Sequence, residues 1–133
     1  MKKQRIYSDA VREPAPKMWS NCVRADDLIM VSGMTARGAD GETVLGDTAY
    51  QQAKTVFQKI KDLIEAADAA MDDIVKMTIF VTDISDNTQV WKARQEFFSG
   101  DFPACSLVEV AALAKPEILL EIEAIAIAGC SRD

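Results

Sequence analysis

The sequence predicts an α+β fold, a small mixed β-sheet with two helices against one face. Three observations carry this. Apolar residues form strand-like runs at four places, 28–36, 73–83, 105–113 and 117–129. Two segments between them place apolar residues three and four apart. The last run is apolar on both of its faces. At 133 residues, 49% of them hydrophobic and 27% charged, the chain has the size of one domain, 1–133, and the composition of a globular protein.

The first strand, "LIMVSGMTA", follows "VRADD", so a hairpin turns at Asp26 and Asp27. A loop with Gly38, Gly41 and Gly46 comes next, and its glycines read as turn positions because no GxGxxG or Walker spacing opens the following helix. That helix starts at Thr48, where Thr48 and Gln51 have capping-box spacing and Asp47 competes as cap, and it ends near Asp68. Its apolar stripe is Ala49, Ala53, Val56, Phe57, Ile60, Leu63, Ile64 and Ala67. In the strand 73–83, Val75, Met77, Ile79 and Val81 alternate with Lys76, Thr78, Phe80 and Thr82. A second helix begins at Asp86, with Gln89 at capping spacing, and stops before Gly100; Trp91 is assigned to its core stripe with Val90, Phe97 and Phe98. Two strands close the chain. In the last, Leu120, Ile122, Ala124 and Ala126 form one row and Ile125 and Ile127 belong to the other, so both faces need cover. Two helices cover one face only, and a second copy of the chain is expected on the other. If the Ile122 row faces that partner, Ile122→Lys breaks the assembly.

Several functions are excluded by what is missing. Without histidine there is no Ser/His/Asp or Cys/His machinery and no ordinary zinc site. A net charge of −6 opposes a phosphate backbone, and no basic run exceeds "MKKQR", so no nucleic-acid partner is expected. No apolar run approaches the roughly 20 residues that span a bilayer, and the basic N-terminus lacks the apolar stretch of a secretory signal. Cys22, Cys105 and Cys130 are an odd set without a CxxC pair. The expectation is a cytoplasmic protein with no membrane partner.

The segments "MVSGMTA", "IEAADAAMDDIVKMTIFVTD" and "FFSGDFPACSLVEVAALAKPEILLEIEAIA", in that order, resemble the Rid/YjgF family of enamine and imine deaminases, formerly described as translation inhibitors or L-PSP-type ribonucleases. The resemblance covers about Trp19 to Ala128. It implies a chorismate-mutase-like fold, a homotrimer around a central barrel, small-molecule sites between subunits, no cofactor and no metal. It further implies a serine, matched by Ser32 beside Gly33, and a glutamate that orients water, matched by Glu121. A pocket tyrosine falls on Trp19, and the arginine that clamps the substrate carboxylate falls on Cys105.

Cysteine has neither the charge nor the reach of the guanidinium it replaces. Arg37, in the glycine-containing loop, is the first candidate to supply the missing cation; Arg24, Arg94 and Lys115 occupy no matching strand position. Leu107 and Glu109 share a face with Cys105 by alternation, Leu107 as pocket lining and Glu109 as either a site residue or an ion-pair partner. Cys105 reads as an inert lining thiol, because no histidine is present to activate it. Trp19 lies in a segment without periodicity and suits an aromatic wall for a ligand. Glu121 and Glu123 point to one face. Two functions follow: an imine deaminase whose substrate differs from the small 2-iminoacids, or, alternatively, a non-catalytic trimer that binds a metabolite or a protein through the same cleft.

Overall fold

The structure is a computed structural model and describes residues 1–132. Its elements in chain order are β1 (Gln4–Ile6), β2 (Cys22–Ala25), β3 (Leu28–Met34), α1 (Ala49–Ala66), β4 (Ile74–Val81), α2 (Asn87–Arg94), β5 (Ala104–Glu109) and β6 (Leu120–Ile127). They form one sheet in the order β1-β2-β3-β6-β4-β5. All pairings are antiparallel except β4 with β5. β3 and β4 both run antiparallel to β6 and so run parallel to each other, which makes β3-α1-β4 and β4-α2-β5 two crossovers in the same direction across the sheet. Right-handed crossovers in one direction place both helices on the same face. The other face is left bare by the topology itself.

The hairpin turns where the sequence placed it, with Asp26 at φ 51°. α1 is held by the expected box: Thr48 Oγ1 accepts from Gln51 N at 3.2 Å, and Gln51 Oε1 accepts from Thr48 N at 3.3 Å and Asp47 N at 2.8 Å. Asp68 then leaves the helix at φ 61°. β1 was not anticipated. Three residues pairing with β2 are too few to show a period.

Three expectations needed correction. Val75 is exposed, because a register shift between Ile74 and Lys76 against β6 puts Ile74, Met77, Ile79 and Val81 in the core instead of an unbroken alternation. The second helix is only eight residues long, and Asp86 makes no capping bond; Asp83 caps the preceding turn by accepting from Ser85 N at 2.9 Å. Trp91 is 41% exposed and is not core. Adjacent helical residues point about 100° apart, so Trp91 cannot share the stripe of Val90; it lies on the face of Asn87 and Arg94 at i, i+4 and i+7.

The core lies between the helices and the inner rows of the sheet, with Phe57, Ile60, Leu63, Ile79, Leu120 and Ile122 among its fully buried members. Ile122 therefore faces α1, and a charge there would test the core, not an assembly. The bare face carries Leu28, Met30, Ile127 and Val108, exposed by 43%, 45%, 43% and 43%. Two buried polar residues tie the edges together. Gln52 Nε2 donates to Gly46 O and Glu117 O, and its Oε1 accepts from Leu119 N, so loops on either side of α1 are joined through one amide. Asp73 accepts from Ala70 N, Gly129 N, Ser131 N and Ser131 Oγ. Burial alone would raise its carboxyl, yet these bonds hold it well below the usual carboxylate range. No helix among the described residues is long and apolar enough to cross a membrane.

Candidate functional site

The predicted site residues fall into two groups on opposite faces of the sheet. Glu121 pairs with Phe80, and Phe80 with Val108, on the bare face. Cys105 pairs with Met77, and Met77 with Ala124, on the helix face, and Leu107 joins Cys105 there beside Ile79. With β4 standing between β6 and β5, one chain cannot bring Glu121 and Cys105 to a common ligand.

The first group gathers at the end of β3. A cleft of about 220 Å³ is lined by Trp19, Gly33 and Arg37 together with Arg12, Glu13 and Lys59. Glu121 meets it through Gly33: a Cβ at residue 33 would collide with the Glu121 carboxylate, so only glycine lets the strand and that side chain lie against each other. Burial pushes the Glu121 carboxyl above the usual glutamate range, Glu123 adds to the rise, and the charge of Arg37 opposes it. A carboxylate poised in this way is a stronger base than an exposed glutamate. Lys59 donates to the carbonyls of Thr35 and Arg37, at 2.7 and 2.5 Å, and holds the loop that carries Arg37. Burial, and then the neighbouring Arg37, lower the Lys59 ammonium from its ordinary value.

Ser32 has a positioning role. Its Oγ donates to Ser20 O at 2.6 Å and its N–H to Asn21 O at 2.9 Å, fastening the Trp19 loop to β3. Trp19 is 52% exposed, and its indole Nε1 donates to Asn21 Oδ1 at 3.3 Å. Asn21, buried, donates in turn to Arg12 O at 2.9 Å and to Glu13, which pairs with Arg5 at 2.6 Å. Asn21 escaped the sequence reading because a buried asparagine in a segment without periodicity gives no signal of its own.

The second group forms a cleft of about 400 Å³ between β5 and α2, lined by Cys105 and Leu107 and, on the helix side, by Trp91, Arg94 and Phe102. The last three were missed as site residues. The spacing of Asn87, Trp91 and Arg94 was the available signal, since it marks a helix face distinct from the Val90 and Ala93 core. Glu109 takes no part: its Oε1 accepts from Ile84 N at 3.0 Å and secures the turn before α2. Cys22 is buried, and burial pushes its thiol up to about 11, which leaves it inert.

A six-stranded mixed sheet with two crossover helices on one face and a bare apolar face on the other defines a small α+β protein. Comparisons with known proteins give its family. Residues 10–128 match the family model described as endoribonuclease L-PSP. The chain is 32% identical to human 2-iminobutanoate/2-iminopropanoate deaminase, over 95% of this chain and 91% of that one. Its fold matches a Pseudomonas aeruginosa protein of unknown function at TM-score 0.85 and 36% identity, covering 96% of this chain and 94% of that one. A Yersinia pestis member of the conserved Rid family matches at TM-score 0.86 and 30% identity, with 96% and 100% covered. The chain belongs to the Rid/YjgF family.

Proposed function

We propose that the protein is an imine deaminase, hydrolysing a reactive imine to a carbonyl compound and ammonia, at clefts formed between copies of the chain in a homotrimer. The observation that carries this reading is Glu121, a carboxylate pushed upward by burial, held against Gly33 and facing the charge of Arg37. In this mechanism a water attacks the carbon of the protonated imine as one of its protons passes to Glu121, giving a neutral carbinolamine. Glu121 returns that proton to the nitrogen, the C–N bond breaks and ammonia leaves, and the hydroxyl proton passes to Glu121 as the carbonyl forms. No electron is exchanged. The name of the human relative supports the reaction class.

The trimer, with bare faces turned inward as a barrel, would cover Leu28, Met30 and Ile127, and it would bring the β3 cleft of one copy to the β5 cleft of the next. The opposite placement of Glu121 and Cys105 favours such a shared site, because a single sheet holds them apart. The substrate differs from a small 2-iminoacid in this reading, since Cys105 lacks a charge and Trp19, Trp91 and Leu107 offer apolar walls. Imines generated in place by an amino-acid oxidase from alanine, leucine and phenylalanine test it, with ketoacid and ammonia release followed. Acceleration over spontaneous hydrolysis, lost in Glu121→Gln, is the expected result. No acceleration with any imine would make the non-catalytic binding module the better account.

A further inference from the structure

The β5 cleft has one charged side chain in its wall, Arg94, amid apolar and aromatic groups. We infer that Arg94 holds the carboxylate of the substrate, and that this substrate is a 2-imino acid with a bulky apolar side chain lying against Trp91 and Leu107. The inference rests on the deaminase reading for the reaction, but on the β5 cleft alone for the binding.

The guanidinium is unengaged. The ion pairs among the described residues use Arg5, Arg24, Lys54 and Lys115, and Arg94 is in none of them. Its Nε is buried without a hydrogen-bond partner. A buried donor left unpaired is destabilising until something accepts from it.

The guanidinium is also positioned. It lies over the Phe102 ring at 5.9 Å, Phe102 packs on Phe98 at 5.7 Å, and Phe98 meets Phe57 edge-on at 6.2 Å. A guanidinium resting on an aromatic face keeps its in-plane N–H fork free, and that fork fits a carboxylate bidentately. Cys105 and Leu107 leave room in front of it, and a cleft of about 400 Å³ has the size of a small-ligand site. Arg37, the cation singled out from the sequence, also has an unpartnered buried Nε. Its charge, however, acts on Glu121, so a substrate carboxylate bound there would crowd the anion that serves as base. Arg94 lies on the other face of the sheet from that carboxylate and has no such conflict.

The test is binding of 4-methyl-2-oxopentanoate, the ketoacid product of such a substrate, and of the neutral 4-methyl-2-pentanone, by calorimetry on the assembled protein. Wild type is expected to prefer the acid. Arg94→Gln should weaken the acid roughly 10- to 100-fold and leave the ketone unchanged, with Arg94→Lys intermediate and oligomer size unaltered in all. Equal acid binding in wild type and Arg94→Gln overturns the inference, as does a loss confined to Arg37→Gln. Dissociation of the assembly in both Arg94 variants also overturns it, by making Arg94 a subunit contact. Acid binding through Arg94 without hydrolysis of any imine would leave this inference standing and remove the deaminase reading; imine hydrolysis with an unchanged KM in Arg94→Gln would do the reverse.

Discussion

The β3 cleft and the β5 cleft are built from opposite materials. The first is crowded with charge: Arg12, Glu13, Arg37, Glu42 and Lys59 surround Trp19 and Gly33, and Glu121 stands behind them. The second is apolar, with Arg94 as its single charge. Proton transfer needs titratable groups shifted by burial and by their neighbours, which only the first supplies. Selection of an apolar substrate needs a shaped greasy wall with one fixed polar anchor, which only the second supplies. In the proposed reading, chemistry falls to the first half and recognition to the second.

The largest effect is expected from separating the halves. Ile125→Lys places a charge on the bare face next to Met30, and it should abolish both assembly and imine hydrolysis while circular dichroism stays native. Full activity from a monomer in light scattering would break the division outright. Glu121→Gln should come next, lowering kcat by about 10² to 10⁴ with KM nearly unchanged. Its effect on stability runs the other way. Because the folded carboxyl is raised above the unfolded value, ionisation favours the unfolded chain as pH climbs past the usual glutamate range, and the penalty is complete above the raised folded value. Glu121→Gln should therefore be no less stable than wild type at pH 7 in thermal melts, and the acid limb of the wild-type kcat profile should lie above the ordinary glutamate range.

A smaller loss should follow Gly33→Ala, where the new methyl meets the Glu121 carboxylate. Displacing that side chain should lower kcat, and overpacking should cost about 1 to 3 kcal/mol in denaturant melts. On the recognition side, Trp91→Ala should raise KM for an imine derived from leucine while changing kcat little; a fall in kcat alone would move Trp91 to the chemical half. The smallest effect is expected from Cys105→Ser, which keeps the size of the side chain and should leave rates within about twofold if the thiol only lines the wall.

What the sequence revealed and concealed follows the same division. The α1 capping box, the Asp26 turn and the helix ending at Asp68 were legible because each depends on residues within one turn of one another. Gly33, Trp19 and Arg37 line one cleft and Ser32 fastens the Trp19 loop beside it; Gly33 and Arg37 are close in the chain, whereas Trp19 was reached through the resemblance and not through any local pattern. Alternation also placed Cys105 with Leu107 and Glu121 with Glu123. It could not say which face each pair takes, since that depends on pairing with β4, parallel in one case and antiparallel in the other. The Val75 exposure was hidden for a related reason: a bulge shifts the period without leaving a mark in composition. Trp91 was misjudged because an aromatic on a short helix was assigned to the nearest apolar residue, when helical geometry sets neighbours four apart.

The central claim is that one working site takes Glu121 from one copy and the β5 cleft from another. Mixing two inactive variants tests it most directly. Glu121→Gln removes the base, and Leu107→Glu closes the β5 cleft by placing a carboxylate beside Arg94. Each alone should be assembled and inactive. Unfolded together in equal amounts and refolded, they should recover about a quarter of wild-type activity, the share of random interfaces that join an intact β3 half to an intact β5 half. Hetero-oligomers that form but show no activity above the separate variants would contradict the account.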